Sequence, residues 1–179
     1  RWEHDKDPDT FFAACRLLAR RGTDFRLLVL GERFRDVPDC FARARRHLAE
    51  RIDRWGYQEA RSDYADALAG ADVIVSTARH EFFGIGVVEG VSAGCWPLLP
   101  DRLAYPELFG PTDDTDRAGF FHDGSAEGLA SALAAAAEAL DAGGLWARTP
   151  LTPDDLVGRF AWSRLAPDYD AAVAALTRA

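Results

Sequence analysis

The sequence predicts an α/β protein, a Rossmann-like domain in which helices cover both faces of a parallel sheet to give three layers, α/β/α. Short apolar runs, such as Ala71–Ser76 and Trp96–Pro100, alternate with longer segments in which apolar residues recur at helical spacing. Glycines follow several of these segments, as Gly22, Gly31 and Gly70 do, and glycine often ends an element. Strands that alternate with helices along a chain are typical of parallel sheets.

Length and composition are those of one soluble domain. The 179 residues suffice to bury about 70% of the surface of the unfolded chain. No apolar run approaches the ~18 residues that span a bilayer, and no basic and then apolar signal opens the chain, so we expect a cytoplasmic protein without a membrane partner. The chain lacks methionine and begins with Arg1, from which we expect a piece of a longer polypeptide.

Charge and ligand spacing exclude two classes of site. The net charge of −8 argues against a general nucleic-acid surface, because phosphate affinity comes from clustered Lys and Arg. We interpret one basic helix as a solvated face in preference to an RNA contact; its basic residues are Arg43, Arg45, Arg46, His47, Arg51 and Arg54. The histidines form no ligand pattern, Asp114-Thr115-Asp116 is interpreted as a solvated loop, and no metal site is expected.

The three cysteines predict buried thiols. Cys15, Cys40 and Cys95 have no C-x-x-C spacing and lie among apolar or helical neighbours. Free thiols in a reducing compartment are therefore favoured over disulfides or a metal site.

The first predicted helix begins at Asp7-Pro8, a typical N-cap and N1 pair, and ends at Gly22. Lys6 immediately precedes this helix, and Arg1 lies where a preceding strand would end. Lys6 is the single lysine among the 21 Lys and Arg residues. A compact ammonium where arginine is otherwise used suggests a point charge that binds a phosphate, and a chance surface lysine is the alternative.

The next segments continue the alternation of strands and helices. Phe25–Glu32 is predicted as a strand, and Asp39–Arg51 as a helix. Trp55-Gly56-Tyr57 ends a second short strand, and Ser62 is predicted to cap the helix that runs to Gly70.

The rest of the chain is organised around residues 76–94. Here the buried strand Ala71–Ser76 leads into a loop and then into a helix. In parallel α/β sheets ligands bind at such a point, because free N–H groups and the positive end of the helix dipole face the crevice. Glu81 lies in the loop and Glu89 about two turns down the helix. The two carboxylates can therefore accept hydrogen bonds from different parts of one polyhydroxylated ligand.

The second half of the chain adds two strands and three helices. Trp96–Pro100 is predicted as a buried strand, and Tyr105–Phe109 as a short helix. Phe120-Phe121 predicts a short last strand, and Ser125–Leu140 an alanine-rich helix. A final helix is expected over 160–169.

These motifs resemble a known family. Glu81 and Glu89 form a Glu-x7-Glu pattern with Phe83-Gly84 between them, and Arg1 and Lys6 precede the first helix. The pattern resembles the donor site of retaining GT-B glycosyltransferases of family 4, of which the chain is identified as the C-terminal half. The strings Arg1–Lys6 and Ala78–Gly84 are similar to those of the tRNA-queuosine mannosyltransferase-like group.

The resemblance implies a role for each motif residue. Arg1 and Lys6 would bind the donor diphosphate, Glu81 the hydroxyls of the transferred sugar, and Glu89 the ribose. The other expected donor-binding residues are His80, Phe83, Gly84 and Tyr57. Tyr57 would lie beside the nucleotide base, and a buried structural tyrosine is the open alternative.

The resemblance also implies the reaction and its partners. The donor would be a nucleotide sugar, GDP-mannose, used without a metal, and the acceptor would be the queuosine nucleoside of tRNA. Residues 1–179 would then form the donor domain, with the acceptor domain absent from this chain, so that the isolated chain binds donor and transfers little. Another donor and a non-RNA acceptor within the family is the alternative.

The resemblance leads to two structural expectations. The family carries glycine where this chain has Asp7, which leaves the conformation of the Lys6 loop open. The first strand of the sheet is expected to be absent from the chain, which would leave an apolar gap, and the last helix resembles the one that braces the other GT-B domain.

Two other classes of function compete with this interpretation. Gly84-x-Gly86-x-x-x-Gly90 resembles a dinucleotide fingerprint, which suggests an NAD(P)-binding oxidoreductase. However, the sixth position of the pattern is Glu89, and roughly seven residues separate the strand from Gly84, too many for the tight turn of that motif. A sugar-nucleotide-binding module without catalysis is the other alternative.

Overall fold

The computed structural model describes residues 2–33, 36–110 and 119–176. Within these ranges strands and helices alternate, and every strand is parallel to the strands that it pairs with. The strands are β1 Leu27–Leu30, β2 Ile52–Gly56, β3 Val73–Val75, β4 Trp96–Pro100 and β5 Phe121–His122. The α-helices are α1 Pro8–Arg20, α2 Cys40–His47, α3 Arg61–Ala69, α4 Ile85–Ser92, α5 Tyr105–Phe109, α6 Ala126–Asp141, α7 Pro153–Val157 and α8 Trp162–Leu176.

The predicted three-layer α/β architecture is confirmed at the central strand β4. All of its residues are buried. Leu98 and Leu99 are 2% and 0% exposed, and consecutive side chains of a strand point to opposite faces, so both faces of the sheet are covered. Residues of α4 and α6 pack in the same core cluster as β4. The nearly continuous apolar strand and its two helix layers are typical of a parallel sheet.

The described strands form two sheets, one of order β1-β2 and one of order β3-β4-β5. The amino-terminal segment contacts both sheets at the carboxyl ends of their strands. The Trp2 N–H donates to the Glu32 carbonyl beyond β1 at 3.0 Å, and the Arg79 N–H beyond β3 donates to the Asp5 carbonyl at 2.8 Å. The segment that carries Lys6 is therefore held between β1 and β3.

An aromatic cluster fixes the start of that segment. The Trp2 ring is 3% exposed and stacks on Phe41 of α2 with 4.4 Å between the ring centroids. The Trp55 ring meets the Trp2 ring edge to face, with 5.1 Å between the ring centroids. Phe12 of α1 completes this second core cluster. The burial of Trp2 in this cluster anchors the chain shortly before Lys6.

Several boundaries differ from the predicted ones. The helix expected over Asp39–Arg51 ends at His47, and a 3-10 turn occupies Ala49–Arg51. Ser62 is not a cap, because the extended backbone of Ala60 starts α3 at Arg61 and leaves Ser62 inside the helix. The cap before α6 is Ser125, whose side chain accepts from the Gly128 N–H at 2.9 Å.

The cysteines are buried free thiols, as predicted. Burial raises the pKa of Cys15 to about 12 and those of Cys40 and Cys95 to about 11. These thiols therefore remain protonated near neutral pH and are poor nucleophiles. Within the described ranges no helix is long and apolar enough to cross a membrane.

Candidate functional site

Lys6 and Glu81 meet at the carboxyl edge of the strands. Lys6 ends a 3-10 turn, His4–Lys6, directly before α1, and Glu81 lies in the loop between β3 and α4. The Lys6 Nζ lies 3.2 Å from Glu81 Oε2 and donates to the His80 carbonyl at 3.0 Å. The side chains of Lys6 and Glu81 are 25% and 24% exposed. The resemblance implies catalytic roles for Arg1, Lys6 and Glu81, and the last two of these are thus in direct contact and partly exposed to solvent.

The loop before α4 holds Glu81 in its charged form. Glu81 Oε1 accepts hydrogen bonds from the N–H groups of Phe82 and Phe83 at 3.0 and 3.4 Å. Burial raises the pKa of Glu81, but the hydrogen bond and charge of Lys6 and the backbone N–H donors outweigh it, so that the pKa lies below its ordinary value. At neutral pH Glu81 is therefore a hydrogen-bond acceptor only, as recognition of hydroxyl groups requires.

Glu89 lies further along α4 and is oriented by a tyrosine. The hydroxyl of Tyr64 on α3 donates to Glu89 Oε2 at 2.9 Å. Burial and this hydrogen bond raise the pKa of Tyr64 to about 12, so the phenol keeps its proton. Glu89 is half-buried and fixed in place, which differs from a freely solvated acid on a helix surface.

Gly84 shapes the start of α4. Its φ is +79°, in the left-handed region that favours glycine. A Cβ at this position would lie 3.0 Å from Tyr105 Cε1 on α5. The buried Gly84 therefore lets the loop pass close to Tyr105, whose hydroxyl lies 2.7 Å from Ser76 Oγ at the end of β3.

Residues 1–139, which carry these groups, match the model of the family described as glycosyl transferases, group 1. The chain belongs to this family. One curated relative, tRNA-queuosine alpha-mannosyltransferase of Drosophila melanogaster, is 36% identical over 109 residues. That stretch is 61% of this chain and 29% of the relative, so the chain spans less than a third of the relative's length.

Membership in glycosyl transferases group 1 confirms the resemblance found in the sequence. The oxidoreductase alternative has no support from the structure. In the three-residue strand β3 the last residue is Val75, and an irregular loop leads from it to Gly84 at the start of α4. A dinucleotide fingerprint needs a tight turn directly after the strand.

The remaining predicted site residues lie at different places in this group 1 chain. His80 and Phe83 lie on either side of Glu81 in the sequence. The His80 ring meets the Phe82 ring edge to face with 4.8 Å between the centroids, and the Phe83 ring meets the Phe160 ring in the same way at 5.1 Å. Tyr57 follows β2, in the other sheet, and is 60% exposed, so the alternative of a buried structural tyrosine is wrong. Arg1 lies outside the described residues, as do Phe34, Arg35 and Asp114-Thr115-Asp116.

Two side chains that hold the beginning of the β3–α4 loop, Arg102 and His122, were not predicted from the sequence. The Arg102 guanidinium donates to the carbonyls of Ala78 and Thr77 at 3.1 and 3.0 Å. The buried His122 ring contacts the Ser76 carbonyl at 3.0 Å, and burial lowers its pKa, which favours the neutral ring. These residues follow or end other strands, so no local pattern links them to Glu81.

The part of the chain that the structure describes contains no cluster of His, Cys, Asp and Glu that could hold a metal ion. The charged groups that it brings together here include the Lys6 ammonium, the carboxylates of Asp5 and Glu81 at 3.5 and 3.2 Å from it, and a further carboxylate, Glu89, on α4. Such a set can bind an anion and several hydroxyl groups at once.

Proposed function

We propose that this chain is the donor-binding domain of a retaining GT-B glycosyltransferase and that it binds a nucleoside diphosphate sugar. The observation that carries the proposal is the contact between Lys6 and Glu81 at the carboxyl edge of a parallel sheet, in a chain of glycosyl transferases group 1. An ammonium suits the diphosphate, and an adjacent carboxylate suits the hydroxyls of the sugar.

Each site residue has a role in this proposal. Lys6, together with Arg1, binds the diphosphate, Glu81 accepts hydrogen bonds from the sugar, and Glu89 accepts them from the ribose. Tyr64 supports the last role, because it holds the Glu89 carboxylate at 2.9 Å. Gly84, Phe83 and His80 line the sugar end of the pocket, and the exposed ring of Tyr57 is available to stack on the base.

The chemistry that this site contributes is electrostatic. Departure of the nucleoside diphosphate leaves negative charge on the phosphates, and each well-placed donor stabilises the transition state by roughly 3 kcal/mol. Lys6 and Arg1 supply such donors, so the proposed mechanism needs no metal. We further propose that the departing phosphate takes the proton of the acceptor hydroxyl and that the sugar is transferred with retention.

For the donor we propose GDP-mannose, and for the acceptor the queuosine nucleoside of tRNA. The name of the Drosophila relative, tRNA-queuosine alpha-mannosyltransferase, supports mannose as the sugar and queuosine in tRNA as the acceptor, and GDP as the nucleotide follows from the resemblance found in the sequence. The acceptor would bind mainly to a second domain outside residues 1–179, so this chain alone should bind donor and transfer little. The alternative is a group 1 enzyme with another donor and a non-RNA acceptor.

The two glutamates give the sharpest test of these roles. We expect Glu89→Ala to weaken binding of GDP and GDP-mannose alike by about tenfold, the loss of one hydrogen bond to a charged group. Glu81→Ala should affect mainly sugar discrimination and abolish the preference for GDP-mannose over GDP. Calorimetric titration measures both, with Glu138→Ala, an exposed acid on α6, as control. Equal affinities of the two site variants for both ligands would contradict the assigned roles.

A further inference from the structure

Asp7 has two features that a loop residue rarely combines. Its backbone lies in the left-handed region, with φ 49° and ψ 55°, which few residues other than glycine adopt. Its side chain is only 7% exposed, and a buried carboxylate requires partners. A glycine at this position would meet the backbone requirement alone. The carboxylate therefore has a separate role.

The partners of that carboxylate lie in two segments. Asp7 Oδ2 accepts from Arg79 Nε at 2.8 Å and from Thr10 Oγ1 at 2.9 Å. Asp7 directly follows Lys6, and Arg79 lies just before Glu81 in the β3–α4 loop. The ion pair thus joins the loop that carries the ammonium to the loop that carries the carboxylate.

Backbone contacts reinforce the same junction. The buried Thr77 hydroxyl contacts the carbonyls of Lys6 and Asp7 at 2.8 and 3.0 Å. The Arg79 N–H donates to the Asp5 carbonyl at 2.8 Å. The Asp7 carboxylate is more deeply buried than that of Glu81, which is 24% exposed in its pair with Lys6. The burial of the Asp7–Arg79 pair is confined to its carboxylate, since the Arg79 side chain is 68% exposed.

We infer that Asp7 and Arg79 are positioning residues that keep Lys6 and Glu81 at a fixed separation when the donor diphosphate binds. This inference rests on the proposed donor-binding function. Without ligand, attraction between Lys6 and Glu81 adds to the contacts that hold the two loops together. A diphosphate competes for the Lys6 ammonium and weakens that attraction. The Asp7–Arg79 pair does not involve Lys6 and continues to hold the loops.

A direct contact between Arg79 and the ligand would be a different role. The Arg79 side chain is 68% exposed although its Nε is paired. The two roles respond differently to Asp7→Asn, which removes the buried charge and leaves the guanidinium in place. Direct binding predicts that Asp7→Asn keeps its affinity for the nucleotide, whereas positioning predicts a loss.

The experiment compares GDP with guanosine by calorimetric titration. Guanosine lacks the phosphates, so it reports on the part of the pocket that Lys6 does not touch. We expect Asp7→Asn and Arg79→Ala each to weaken GDP binding by about tenfold, because the hydrogen bond between Lys6 and the diphosphate is then poorly aligned. Guanosine binding should weaken by less than about twofold. The double variant should be no weaker than either single variant, because both remove one interaction.

Two further variants control the experiment. Arg46→Ala removes an exposed arginine on α2 and should leave both affinities unchanged. Asp7→Gly removes the carboxylate but suits the left-handed backbone, so it should remain folded and show the same loss for GDP.

Three results would overturn the inference while leaving the proposed function standing. They are an equal loss for GDP and guanosine, a loss in Arg79→Ala without one in Asp7→Asn, and no loss in any variant. If the unsubstituted protein bound neither GDP nor guanosine, the proposed function itself would be wrong and the inference with it.

Discussion

At the scale of single residues, the site depends on two carboxylates whose partners hold them in place. Glu81 is held by Lys6 and by the N–H groups before α4, and Glu89 by the Tyr64 hydroxyl. Both glutamates were identified in the sequence from their spacing and their position after a buried strand. Lys6 was identified as well, but the Tyr64 partner of Glu89 was not, because a hydrogen bond between α3 and α4 leaves no mark on either segment alone.

Tyr64→Phe tests the orientation of Glu89. Removing the hydroxyl should weaken GDP binding by about tenfold while lowering the free energy of unfolding by only about 1 kcal/mol, the usual net value of one hydrogen bond. The loss should be the same at pH 7 and pH 9, since a phenol with a pKa of about 12 stays protonated at both. Titration calorimetry and urea unfolding measure the two effects.

Tyr169→Phe is the matched control for that substitution. Tyr169 is 58% exposed on α8, so losing its hydroxyl should change neither quantity. If Tyr64→Phe bound GDP as tightly as the unsubstituted protein, the hydroxyl would have no role in orienting Glu89.

At the scale of elements, the close approach of α4 to β3 sets the position of the site helix. A Cβ at Gly90 would overlap Ile74 Cδ1 and lie 3.1 Å from Ile74 Cβ. The glycine thus lets the helix lie directly on the strand, which brings Gly84 and Glu89 over the end of the sheet. The packing of α4 on β3 therefore explains Gly90, which in the sequence resembles part of a dinucleotide fingerprint.

Gly90→Ala should therefore destabilise the protein by about 1–3 kcal/mol, the usual cost of overpacking a core. Adding Ile74→Val, which removes the overlapping Cδ1, should recover part of that loss. Gly86→Ala is the control in the same helix, because its Cβ would meet only Tyr64 OH at 4.0 Å and alanine favours a helix by about 0.5–1 kcal/mol. Urea unfolding that showed Gly90→Ala and Gly86→Ala to be equally stable would contradict this packing argument.

Elements and loops differ in how far the sequence predicts them. Trp96–Pro100 was predicted well, because an apolar run between turn residues is a local signal. Ser62 was misplaced as a cap, since Ala60 starts the helix by its backbone conformation alone. The ion pair between Asp7 and Arg79 joins residues far apart in sequence, so no local pattern predicts it.

At the scale of the whole molecule, the proposed donor site lies where the two sheets approach the amino-terminal segment. β1 and β3 each pair on one side with a described strand, and Val73, Ile74 and Val75 of β3 are only half-buried. The last helix, α8, has no buried residue within its described range, and Trp162, Tyr169, Val173 and Leu176 are exposed. Lys6, Glu81 and Glu89 nevertheless lie within the described residues, so the proposed donor binding is a property that this chain itself should show.

The most direct test of the central claim is calorimetric titration of this protein with GDP, UDP, ADP and NAD, followed by the sugar conjugate of the nucleotide that binds best. We expect GDP to bind in preference to the others and GDP-mannose to bind more tightly than GDP, because Glu81 gains hydroxyl partners. Binding of NAD in preference to every nucleoside diphosphate would contradict the assignment of Lys6, Glu81 and Glu89 to a sugar-nucleotide site.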